Sequence, residues 1–155
     1  FNTPEKMVSL TEEELGEKIK SCGFFRNKSK HILEASRTIM EKYQGQVPDT
    51  MEKLITLPGV GRKTADVVLS NAFGVPAIAV DTHVFRVANR LGLANSKSVL
   101  ETERQLMKRI PKSQWSRAHH QLIWHGRRIC HARSPQCTQC PLLSYCIEGK
   151  QRVGA

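Results

Sequence analysis

Four cysteines fall within seventeen residues near the end of the chain, Cys130, Cys137, Cys140 and Cys146, spaced C-x6-C-x2-C-x5-C. No other feature restricts the fold as much, because this segment must wrap four thiols around a common centre. The residues between them, among them Arg133, Ser134, Pro135, Gln136, Thr138 and Gln139, are polar loop formers that could not bury four sulfurs on their own. No signal-peptide pattern points to an oxidising compartment, so metal ligation is expected rather than two disulfides. One short C-x2-C knuckle with two longer arms differs from the paired knuckles of most structural zinc sites. It suits an iron–sulfur cube, whose irons draw one thiolate each from different directions. Spacing alone leans to iron and leaves zinc open. The fifth cysteine, Cys22, stands apart before Gly23 and reads as a small buried apolar residue.

Outside that loop the apolar periodicity is helical almost throughout. Thr11 and Glu14 form a capping-box pattern opening a helix to about Ser21, and Ile32, Leu33, Ile39 and Met40 mark a second from Lys28 to Tyr43, stopped by Gly45. Further helices are predicted from Asp49 or Thr50 to Thr56, Gly61 to Phe73, Thr82 to Leu91, Ser98 to Ile110 and Ser113 to Ala132. The one strand-like run, Ala77 to Val80, is too short and isolated to found a sheet, so the fold class is all-α. A chain of 155 residues supports one domain or two small ones. No run approaches the roughly 20 apolar residues of a membrane span, and the chain reads as a soluble protein.

The charge is +10, and +7 of it lies in residues 101–155, where ten Lys and Arg face three Asp and Glu. Small domains stay soluble with charges of magnitude about 2 to 8, so this excess points to a polyanionic partner, nucleic acid first. The string Leu57-Pro58-Gly59-Val60-Gly61 before the helix start Arg62-Lys63-Thr64-Ala65 sharpens that expectation. Proline fixes φ, the two glycines permit left-handed backbone and strip side chains from the turn, and the helix start offers bare amides and a positive dipole end to an anion. In so basic a chain the simplest anion is a DNA phosphate.

This hairpin string, then Val80-Asp81-Thr82-His83, then the four-cysteine pattern, in that order, resembles endonuclease III among the helix-hairpin-helix DNA glycosylases. The resemblance runs from residue 1 to about residue 150. It implies a helical barrel carrying the hairpin over residues 1–75 and an iron–sulfur cluster domain over 76–155, with a lesion cleft between them. The match begins some distance inside the family's barrel domain, so the family's N-terminal helices, with a glutamine that fills the gap left by a flipped base, are missing from this sequence: either the chain is cut or only part of it is represented. The implied activity is removal of oxidised pyrimidines from duplex DNA followed by strand cleavage at the abasic site, in an intracellular, bacterial cytoplasmic, nucleoid-associated monomer. The alternative is a non-catalytic DNA-binding module stiffened by a metal loop.

The resemblance places the nucleophilic amine at Lys63 and the essential carboxylate at Asp81. Only a neutral primary amine can hold the sugar as a Schiff base, and at a reference pKa of about 10.4 a free lysine is almost wholly protonated at pH 7. Desolvation and the helix N-terminus favour the neutral form, whereas phosphates and Asp81 oppose it. Asp81 also stands where an N-cap for the helix from Thr82 belongs, which alone explains an aspartate there. The related adenine glycosylases lack the lysine, so Lys63 favours a combined glycosylase and lyase. Leu57, Gly59, Val60, Gly61, Arg62 and Thr64 are implied to form the phosphate grip. The four late cysteines are implied to hold a [4Fe-4S] cluster, with Arg133 carried by its first arm to the DNA backbone. Arg127 and Arg128 extend that face. His119, His120 and His125 read as structural, His83 as an orienting neighbour of Asp81, and Trp115 and Trp124 as core.

Overall fold

The computed structural model describes residues 1–154. It is all-α, with no strand among the described residues. The helices are α1 (Pro4–Val8), α2 (Glu12–Ile19), α3 (Phe25–Tyr43), α4 (Met51–Leu54), α5 (Arg62–Ala72), α6 (Thr82–Leu91), α7 (Val99–Arg109), α8 (Trp115–Arg128) and α9 (Ile147–Val153), with single 3-10 turns at Lys112–Gln114, Cys137–Gln139 and Leu143–Tyr145. The chain divides into two compact units, one from Phe1 to Ala65 and one starting at Asp66. No helix of the described residues is long and apolar enough to cross a membrane.

In the first unit α1 and α2 pack on α3. The predicted capping box forms: the Glu14 amide donates to Thr11 Oγ1 at 3.1 Å and the Thr11 amide to Glu14 Oε2 at 2.8 Å, which satisfies two orphan donors reciprocally. Helix α3 starts three residues earlier than its periodicity suggested. Its N-cap is Phe24, in left-handed backbone and without a side-chain cap bond, so no capping signal marks that start. Buried Ser29 and Ser36 return their hydroxyls to carbonyls one turn back, Phe25 and Arg26 for the first and Ile32 for the second. No buried hydroxyl is thereby left unpaired on that face.

In the second unit α7, α8 and α9 all pack on α6. The core joins Val84, Val87 and Ala88 of α6 to Leu106 of α7, Leu122 of α8 and the residues Ile78 and Val80. The segment 77–80 is therefore buried but pairs with no strand, which is why it looked strand-like in sequence. Gly126 lets α6 and α8 approach closely, since a Cβ there would stand 3.0 Å from His83 Cβ and 3.1 Å from Val87 Cγ2.

Three expectations need correction. Helix α8 ends at Arg128 and not at Ala132, because the amides of Ile129 and Cys130 both turn onto the His125 carbonyl and the Gln136 amide closes the following loop on Ile129. Cys22 is exposed, placed in the short turn after α2. Trp124 is 51% exposed, lying outside the core with the Arg128 guanidinium over its ring at 4.6 Å, whereas Trp115 packs against the core as expected.

Candidate functional site

The hairpin turn is built by local backbone. Val60 N–H donates to the Leu57 carbonyl at 3.0 Å, closing a four-residue turn with Pro58 at its second position and Gly59 at its third with φ +74°, the pattern of a type II turn. Gly59 is required twice over, since an L side chain there would also meet His31, at 2.7 Å from its Cβ. Buried Leu54 and Leu57 anchor the turn from beneath. Helix α5 follows, its first backbone bond running from the Ala65 amide to the Gly61 carbonyl. Among the described residues the amides of Gly61, Lys63 and Thr64 make no hydrogen bond, and all three residues are exposed. These are the orphan donors of a helix N-terminus, offered to solvent around two backbone positions without bulky cover.

Of the residues expected at this grip, Gly59, Gly61, Arg62 and Thr64 are exposed and Val60 is half-buried, while Leu57 faces the interior. Lys63 is also exposed.

Asp81 is the N-cap of α6. One carboxylate oxygen, Oδ1, accepts both the His83 amide at 2.9 Å and the Val84 amide at 2.8 Å. The other, Oδ2, makes no hydrogen bond among the described residues. Capping thus occupies one oxygen and leaves the second open. His83 is tied to the same helix, its Nδ1 lying 3.1 Å from Arg86 Nη2.

Further along α6, two arginines hold the cysteine loop, and sequence reading did not single them out. Arg86 donates to the Cys130 carbonyl from Nε at 3.1 Å and Nη2 at 3.0 Å, and to the Gly126 carbonyl at 2.9 Å, satisfying the C-terminal end of α8. Arg90 reaches the His131 carbonyl at 2.7 Å and the Ala132 carbonyl at 2.9 Å. Their spacing of four on one helix face was visible in the sequence, but nothing marked what they would grip.

Cys130, Cys137, Cys140 and Cys146 line one recess, walled also by Arg90, His125, Glu148 and Arg152. Cys146 is buried and its sulfur accepts the Gly149 amide at 3.2 Å, capping α9. His125 Nε2 lies 3.6 Å from Cys140 Sγ, and burial pushes its imidazole below the ordinary range, towards the neutral form. Glu148 beside Arg152 holds that guanidinium above its usual value. Four thiols around one recess, with N–H donors on the Cys130 and Cys146 sulfurs, suit the all-thiolate ligation of an iron–sulfur cluster.

Phe24 is 85% exposed with φ +58°, an aromatic side chain held out from the surface in strained backbone. Arg127, Arg128 and Arg133 are exposed on the last turn of α8 and the first arm of the loop.

A glycine hairpin before a helix and a four-thiolate recess together define an iron–sulfur protein of the helix-hairpin-helix repair class. The family model of HhH-GPD superfamily base excision DNA repair proteins matches residues 1–112, and that of the iron–sulfur binding domain of endonuclease III matches residues 130–146. Endonuclease III of Bacillus subtilis is 55% identical over 153 residues, covering 98% of this chain and 70% of that protein; the Escherichia coli enzyme is 45% identical over 152 residues, covering 98% and 72%. A structure of a trapped covalent endonuclease III–DNA intermediate superposes with a TM-score of 0.92 at 52% identity, over 99% of this chain and 72% of that one. The chain belongs to the endonuclease III family. It is a base excision repair enzyme, a bifunctional DNA glycosylase and AP lyase, and its cofactor is a [4Fe-4S] cluster.

Proposed function

We propose that the enzyme acts as a monomer on duplex DNA, excising oxidised pyrimidines and cleaving the strand at the resulting or pre-existing abasic sites, with Lys63 as nucleophile. The observation that carries this reading is the position of Lys63: an exposed primary amine in the first turn of α5, beside the unpaired amides of Gly61 and Thr64. A phosphate held by those amides brings its own sugar to the amine, and the closing DNA removes the water that keeps lysine protonated. The relative captured in covalent linkage with DNA supports the same chemistry.

In the first step Nζ bonds to C1′ as the bond from C1′ to the base nitrogen breaks, and the base leaves with the bonding electrons and takes up a proton. Loss of the amine protons and opening of the sugar ring give an imine. Removal of a C2′ proton then expels the 3′ phosphate, which is the strand break. Asp81, through its open Oδ2, stabilises the positive charge that develops on the sugar and accepts a proton from the Lys63 ammonium. Leu57 holds the turn while Gly59, Val60, Gly61, Arg62 and Thr64 present backbone to phosphate. Arg133 adds a backbone contact, and Phe24 supplies an apolar wedge for unstacked bases. Cys130, Cys137, Cys140 and Cys146 hold the cluster, which rigidifies the loop. The functional division runs as 1–75 for the hairpin domain and 76–155 for the cluster domain.

Borohydride trapping on DNA carrying thymine glycol tests the reading. Wild type should form a covalent adduct and Lys63→Gln none; an adduct that persists in Lys63→Gln overturns it. Asp81→Asn keeps a good N-cap, so stability should change by less than about 0.5 kcal/mol while excision falls about 100-fold or more. A protein that binds DNA with steep salt dependence yet excises nothing would be the non-catalytic module.

A further inference from the structure

Resting on the reading that the recess holds the [4Fe-4S] cluster, we propose that Arg90 sets the cluster's reduction potential and its retention, by donating to the Cys130 sulfur and fixing a positive charge in the recess wall. The Arg90 side chain is only 13% exposed, and every branch of its guanidinium is engaged. Nη1 reaches Cys130 Sγ at 3.5 Å as well as the His131 carbonyl, Nη2 takes the Ala132 carbonyl, and Nε faces Glu148 Oε1 at 3.0 Å. One planar fork thus joins a ligand sulfur, the first arm of the loop and helix α9, a span that a single ammonium cannot cover.

The electrostatic consequence follows from where these groups stand. Reduction adds one electron, and so one negative charge, to the cluster and its thiolates. A guanidinium N–H on a thiolate sulfur, within a recess that keeps solvent partly out, favours that more negative state and raises the potential. Glu148 works against it. Its Oε1 is shared between Arg90 at 3.0 Å and Arg152 at 2.7 Å, and all three residues line the recess, so the carboxylate masks part of both cations. Two neighbours on one wall therefore have opposite signs of effect, which a purely structural role would not produce.

The test is an equilibrium redox titration of the holoprotein, following the one-electron couple of the cluster by visible absorbance or paramagnetic resonance against a poised electrode, with iron release to a chelator measured beside it. Arg90→Gln should lower the midpoint, so that at the wild-type midpoint the ratio of oxidised to reduced cluster rises about tenfold, equivalent to about 59 mV for one electron, and iron should be lost faster. Arg90→Lys keeps the charge without the fork and should fall between the two. Glu148→Gln should shift the midpoint upwards. A midpoint in Arg90→Gln that moves the ratio by less than twofold, or a downward shift in Glu148→Gln, overturns the proposal. If Arg90→Gln does not retain its cluster, Glu148→Gln decides alone. A wild-type protein that carries zinc or no metal removes the cluster reading and this inference together, while the borohydride assay scores the glycosylase reading separately.

Discussion

The hairpin turn at residues 57–61 and the cysteine loop at 130–146 each have to hold irregular backbone in one shape, and they do so by opposite means. The turn is specified within five residues. Proline, a glycine in left-handed backbone and one hydrogen bond between Val60 and Leu57 close it, and buried leucines fix it below. The loop has two single 3-10 turns and little else of its own. Its carbonyls at residues 130, 131 and 132 are held from a distant helix by Arg86 and Arg90, and its four cysteines line the recess of the cluster. A binding feature made of local backbone is preformed. One made of long-range donors and a cluster is conditional on both.

The largest test of that contrast removes a cluster ligand. Cys137→Ala should release the iron and destabilise the loop by more than about 4 kcal/mol, the scale at which loss of a structural metal stands out among single substitutions. Amide hydrogen exchange gives the reading: protection at Gln136, Cys140, Leu143 and Tyr145, whose amides close the loop, should collapse, while Val60 and Ala65 keep theirs. Equal loss at Val60 would mean that the hairpin is not independent of the cluster, and the contrast fails.

A smaller effect is expected from breaking the hairpin itself. Gly59→Ala places a Cβ on backbone with φ +74° and against His31. Left-handed backbone costs about 1–2 kcal/mol for an L residue, and displacing the His31 ring adds to it, so the loss in urea unfolding should be about 2–4 kcal/mol. Visible absorbance of the cluster should be unchanged. An alanine variant of wild-type stability would show that the turn tolerates another geometry.

What could be read in the sequence follows the same division. The capping box at Thr11, the N-cap at Asp81, the extent of α6 and the hairpin string depend on neighbours within four residues, and local rules describe them. The end of α8 does not, because it is set by Gln136 returning to Ile129 and by arginines from α6. Cys22 and Trp124 were misplaced for a related reason: composition states that such residues prefer burial, but only packing decides which face of a turn or helix is covered. Among the proposed site residues, Lys63 and Asp81 are singled out by motif resemblance, and that capping uses one oxygen of Asp81 and leaves the other open needed coordinates. Arg86 and Arg90 carried no local mark at all, since their partners lie about forty residues away.

The finest test separates shape from contact within the hairpin. Gly61 has ordinary backbone, and a Cβ there would meet nothing within 4 Å. Its freedom is therefore not needed for folding, unlike that of Gly59. Glycine is a better helix N-cap than alanine, so Gly61→Ala should lower stability by no more than about 1 kcal/mol. The same methyl group is carried next to the Gly61 amide, on the path a phosphate would take to the start of α5. DNA affinity at fixed salt should fall about tenfold, with the salt slope nearly unchanged because no cation is lost. If affinity stays at the wild-type value, phosphate does not approach through this turn, and the bare amides at the start of α5 are only an end of a helix.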